Sequence, residues 1–156
     1  MGTKKSWLDK LAGYPDLPVV KPIPEPMKKR RGEGTIAIPS PREVDAAMRG
    51  VPNGRLATVF GIGEAIAACH KATIGCTVTT AIFAHMAAHA AEEARAGGDR
   101  ETTAWWRTVK VDGELNPKYP GGIDRQRSQL QTEGHRIVQR GKRFFVADLE
   151  DKLADL

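Results

Sequence analysis

The run Trp105-Trp106-Arg107 sets two adjacent indoles directly before a guanidinium, and a Gly/Pro-rich segment, NPKYPGG, follows at 116–122. Indole faces can stack a planar ligand, and an unpaired nucleobase stacked on an aromatic ring gains about 1–3 kcal/mol. The competing use of such a pair is core packing, because tryptophan is largely buried in most folds. If WWRTVKV is a strand, Trp105 and Trp106 point to opposite faces and at most one meets a ligand. An extended loop is the other reading of this stretch.

Cys69, Cys76, His85 and His89 are a second group with chemistry to offer. His85 and His89 stand at i, i+4, a spacing that lets two imidazoles share a zinc ion. The Cys-x6-Cys and Cys-x8-His spacings match no standard finger, so no metal and no other cofactor is expected. The four then read as buried thiols and helix-surface histidines. No motif sets a general base beside either thiol.

The third group is cationic. Residues 1–31 hold eight basic and three acidic side chains, while the other residues balance sixteen against sixteen, so the net charge of +5 lies in this segment. Its end, Lys28-Lys29-Arg30-Arg31, suits phosphate contact, since each cation can displace a condensed counterion. A solubilising tail explains the same run. Arg125, Arg140 and Lys142 suit backbone phosphates too, with a solvated charged face as the alternative. Thr77, Thr79 and Thr80 open an expected helix and can bond phosphates or meet a thymine methyl. Simple capping by Thr77 is the plainer account.

These residues need elements to hold them. Five of the ten prolines fall in residues 1–31, and proline restricts its own φ and its predecessor. Residues 1–34 therefore read as an extended basic arm, with a short helix at 6–11 whose Trp7 and Leu8 dock on the body. The compact domain is expected over 35–156. Ser40-Pro41-Arg42-Glu43 is a capping box with proline at the first helical position, so a helix should run 41–49. Thr58 should cap a second helix from Val59 to about Lys71. After the ATIGC break, Thr77 should cap a third of about eighteen residues, stopping at Gly97-Gly98 with Ile82, Phe83, Met86 and Ala87 on its inner face. A helix over 123–133, a hairpin turning at Arg140-Gly141, and a short acidic C-terminal helix complete the chain. The fold expected is mainly α with a small β-hairpin. Helix, short break, helix and terminal hairpin is the order of a winged helix-turn-helix.

No apolar run approaches the ~20 residues that span a bilayer, so no membrane partner is expected. MGTKKSWLDKLAGYP lacks the apolar centre of a secretory signal. The expected compartment is the cytoplasm, with both cysteines reduced.

From Trp105 to Gly134 the sequence resembles the O(6)-alkylguanine-DNA alkyltransferases. That family carries P-C-H-R-V, a D/N-G turn, a glycine-rich loop and a helix ending L-x-x-E-G. Here the run is A-W-W-R-T-V, then Asp112-Gly113, Tyr119-Pro120-Gly121-Gly122 and Leu130-Gln131-Thr132-Glu133-Gly134. Upstream, V-P-N-G-R-L-A-T resembles the I-P-x-G-x-V-x-T that precedes the family's first DNA-binding helix. The similarity covers about residues 38–146, with an insertion near 95–103.

The resemblance places the family's acceptor cysteine at Trp105 and its activating histidine at Trp106. Indole cannot take an alkyl group in an SN2 transfer, so the chain is not expected to be an alkyltransferase. The family's arginine is kept as Arg107 and its glutamate as Glu133. Its crowding tyrosine falls at Val59 and its arginine finger near Thr80, and no Arg or Lys lies between Ile74 and Glu93. The non-catalytic branch, the alkyltransferase-like proteins, also has tryptophan for the cysteine and binds alkylated DNA to flag it for repair. The chain departs from that branch at the histidine and near the finger, so the resemblance implies a non-enzymatic protein that binds duplex DNA, either on alkylated guanine or with little base flipping. The alternative is an RNA, ribonucleoprotein or protein-partner module reached through the arm, one that has lost lesion recognition.

Overall fold

The computed structural model describes residues 6–156, so Lys4 and Lys5 of the basic segment lie outside the described residues. The segment read as an extended arm is folded onto the body over 6–34. It contains α1 (Trp7–Leu11), β1 (Val19–Pro22) and α2 (Glu25–Arg31). The prolines that suggested an extended arm have a φ suited to an edge strand and to a helix's first turn. β1 pairs antiparallel with β2 (Thr35–Ile38), and Ile23 packs with Ile36 and Ile74 in a small core of its own. On α1, Trp7 docks as expected, whereas Leu8 is exposed.

The capping box forms: Ser40 accepts from the Glu43 amide, the Glu43 carboxylate accepts from the Ser40 amide, and α3 spans Pro41–Arg49. The short β3 (Ala57–Thr58) leads into α4 (Val59–Cys69), where the Thr58 hydroxyl accepts from the Gly61 amide. The ATIGC break contains β4 (Ile74–Gly75), which pairs parallel with β2. A Cβ on Gly75 would lie 2.2 Å from the Gly63 carbonyl oxygen, so only glycine lets β4 run this close to α4.

Helix α5 is longer than expected, Thr77–Ala96, and its N-cap is Cys76 rather than Thr77. Alanine, the strongest helix former, fills much of its length. Phe83, Met86 and Ala87 face the core, but Ile82 is 53% exposed.

Trp105–Arg107 is neither strand nor open loop. It is a single 3-10 turn, followed by β5 (Thr108–Val109), which pairs parallel with β3. Next come α6 (Gly122–Thr132), the antiparallel pair β6 (Ile137–Arg140) and β7 (Arg143–Val146), and α7 (Leu149–Lys152). The hairpin turns at Gly141-Lys142, one residue later than expected, because Arg140 pairs with Arg143. Gly141 has φ +64, the left-handed backbone that the first position of a two-residue turn demands. The described fold is therefore mixed α/β, seven helices with three small sheets, and not mainly α with one hairpin. No described helix is long and apolar enough to cross a membrane.

Candidate nucleic-acid interface

Both tryptophans are sealed in the core. Trp105 is 0% and Trp106 8% exposed, and their rings meet edge to face with centroids 5.6 Å apart. The 3-10 turn produces this arrangement, since a strand would have sent them to opposite sides. Each indole N–H is held by a carboxylate. Trp105 Nε1 donates to Glu92 Oε1 at 2.9 Å, and Trp106 Nε1 donates to Glu133 Oε2 at 2.8 Å.

Each carboxylate is neutralised by an arginine. Arg125 donates to both oxygens of Glu92, at 3.1 and 3.0 Å. Arg107 engages Glu133 side-on and donates a further bond to the Val51 carbonyl at 2.8 Å. Burial pushes the Glu133 carboxyl pKa up. The bonds from Arg107, Trp106 and the Gly54 amide outweigh that and leave it below the ordinary value of 4.5. Glu133 is thus fully used without a histidine to orient.

Tyr119 lies in front of Trp105, edge-on with centroids 5.6 Å apart, and burial raises its phenol pKa. Ahead of Tyr119 opens a cleft of about 520 Å³, bounded by Val59, Ala81, Asn116 and Arg143. Arg143 bonds Glu114 at 2.6 Å and lies 3.3 Å from Asp112, and Lys110 stands 3.8 Å from Glu114. Beneath the site, the buried Gln126 amide donates to the carbonyls of Trp106 and Thr108 and accepts from the Asn116 amide.

The other expected site residues divide by accessibility. Thr80 is fully buried and its hydroxyl donates to the Cys76 carbonyl, so in this fold it faces no ligand. Thr77 is half-buried in the first turn of α5, and so is Thr79, whose hydroxyl lies 3.1 Å from Cys76 Sγ. Arg107 and Arg125 are held by carboxylates, as are Lys28 by Glu25 and Arg31 by Glu64. Lys29, Arg30, Arg140 and Lys142 make no ion pair among the described residues. Arg140 sits over the Phe145 ring at the hairpin.

Two elements distant in sequence meet at one cleft. Arg30 and Arg31 of α2 line it together with Thr77 and Val78 of α5. The open face of α5 beyond it is apolar, with Val78 71% and Ile82 53% exposed.

The thiols and imidazoles do not form the cluster that can be drawn from their spacing. Cys69 is exposed at the end of α4 and not the buried thiol expected, and Cys76 caps α5. His85 and His89 pack against Trp7. Among the described residues no three His, Cys, Asp or Glu side chains converge on a point that could hold a metal ion.

Glu92 and Gln126 were missed in the sequence. Glu92 lies in a polar stretch of α5, and nothing local marks it as the partner of a tryptophan thirteen residues on. Gln126 sits in a polar helix whose periodicity does not mark it as buried.

Neither a family model nor any curated protein matches this sequence. Two solved structures share its architecture. One is S. pombe Atl1 in complex with damaged DNA containing O6-carboxymethylguanine, at TM-score 0.51 and 19% identity over 74% of this chain and 94% of that one. The other is S. pombe ATL in complex with DNA, at TM-score 0.50 and 18% identity with the same coverage. This chain shares its fold with S. pombe Atl1. At this identity the likeness concerns the path of the backbone.

Proposed function

We propose that this chain is a non-enzymatic protein that binds duplex DNA, in the manner of the alkyltransferase-like proteins. The observation that carries the reading is the cleft where the cations of α2 meet the first turn of α5. The fold is shared with chains solved on DNA, and α4, α5 and the β6–β7 hairpin would serve as helix-turn-helix and wing. In that arrangement α5 enters a groove, while Lys29, Arg30, Arg140 and Lys142 contact phosphates. Thr77 and Thr79, in the first turn of the same helix, would offer hydroxyls to the DNA backbone.

Absence of alkyl transfer follows from the chemistry at Trp105. The resemblance puts it where the acceptor thiol belongs, and an indole has no lone pair suited to displacement at carbon. Neither cysteine lines the cleft before Tyr119. The lesion class that the resemblance implies is alkylated guanine.

Fluorescence anisotropy with a labelled duplex at two salt concentrations tests the reading. Binding should weaken steeply with salt, with a log–log slope of about −0.9 per phosphate contacted. Undetectable binding at low salt would remove DNA from the account.

A further inference from the structure

We infer that the interface takes an intact duplex and leaves every base in its stack, without preference for an alkylated guanine. This rests on the duplex-binding reading above and goes past it, because the lesion class implied by the resemblance is set aside.

Extruding a base from a duplex costs unstacking and unpairing, and a protein that does so offers a stacking surface in return. A stacked base gains roughly five- to a hundredfold in binding. No such surface is open at the Trp105–Trp106–Tyr119 site. Trp105 is fully buried behind Tyr119, Trp106 is 8% exposed, and Tyr119 itself is only 3% exposed. Each indole N–H is already committed to a carboxylate that an arginine holds in place. Exposing a tryptophan face would break the hydrogen bond from its indole N–H to that carboxylate.

The cleft before Tyr119 does not attract the phosphate that would accompany an extruded nucleotide. Lys110 and Arg143 are balanced there by Asp112 and Glu114. In the first two turns of α5, at the end that meets the α2 cations, no Arg or Lys stands ready to fill the gap left in the duplex, and the open positions there are Val78 and Ile82.

The same features suit an undamaged groove. Val78 and Ile82 form an apolar ridge one turn long, with no donor or acceptor to read a base edge. Cations flank the ridge. Arg30 shares a cleft with Val78, and Lys118 shares one with Ile82. An apolar ridge with a cation near each end suits a groove floor bordered by phosphates.

The test uses the full chain and three duplexes of one sequence, carrying guanine, O6-methylguanine or 2-aminopurine at the central position. Affinities for the first two should agree within about twofold, and 2-aminopurine emission should stay unchanged at saturation. Val78→Glu should weaken both complexes about tenfold or more, at a site exposed enough to leave the fold intact. Lys29→Ala with Arg30→Ala should weaken both equally and lower the salt slope by about two. A preference of about tenfold or more for the lesion, or a rise in 2-aminopurine emission, overturns this inference while the duplex-binding reading stands. Binding to none of the three overturns both.

Discussion

Arg107 grips Glu133 through two parallel hydrogen bonds, Nε to Oε1 and Nη2 to Oε2, each 2.9 Å long. The pair joins three pieces of chain. Arg107 follows the tryptophans, Glu133 ends α6, and the turn at 51–54 is tied in through the Val51 carbonyl and the Gly54 amide. The side chains are 15% and 6% exposed, so the pair acts in a low-dielectric setting where removing one partner strands the other. Arg107→Ala should therefore cost about 3–5 kcal/mol. Urea unfolding of the variant measures this, and a loss under about 1 kcal/mol would mean that solvent reaches Glu133 freely.

Trp105 should behave as core. Trp105→Ala should lower stability by about 3–5 kcal/mol, through lost burial and the cavity left beside Tyr119. Acrylamide should quench a Trp7→Phe variant weakly, because only Trp105 and Trp106 then emit and both are buried. Strong quenching would put an indole face in solvent and reopen it as a ligand surface.

His135 sets a pH dependence. It is 4% exposed, and neither ring nitrogen has a hydrogen-bond partner in the fold. Burial holds its pKa below the ordinary 6.5, against the pull of Glu133 and with help from Lys152 and Arg107. The unfolded chain thus binds a proton that the folded chain refuses. The stabilisation is full above pH 6.5 and is lost as pH falls through that value toward the folded pKa. Urea midpoints taken from about pH 8 to about pH 5 should decline at the acid end, and His135→Leu should shrink the decline. An equal decline in the variant would assign it to other groups.

Gly75→Ala should be strongly destabilising, by about 1–3 kcal/mol or more. Its methyl would sit 2.2 Å from the Gly63 oxygen and 2.5 Å from the Gly63 carbonyl carbon, both of them backbone atoms that cannot rotate away. Thermal unfolding measures this. A midpoint equal to that of the parent chain would show that β4 moves off α4 at little cost.

Local chemistry was legible in the sequence wherever one turn of chain contains its own cause. The Ser40–Glu43 box and the Thr58 cap each sit within a few residues of the bonds they make. Helices α3 and α4 start where those signals put them for that reason. Over 6–34 the extended reading gave way because proline reports on φ, and the same φ serves a free extended chain and a strand paired to β2. The extra strands escaped notice for a related reason. β3, β4 and β5 are two residues long, too short to carry a period.

The sequence by itself determined that two indoles and a guanidinium stand side by side, that no thiol stands with them, and that the excess positive charge is concentrated before residue 32. Covalent order and charge count are enough for those statements. Only the tertiary structure decided that the indoles face inward, that Glu92 and Glu133 hold them, and that the α2 cations meet the start of α5. Those relations join residues from thirteen to about fifty positions apart. Side-chain direction over such separations depends on which faces the packed helices turn to one another, which no local spacing records.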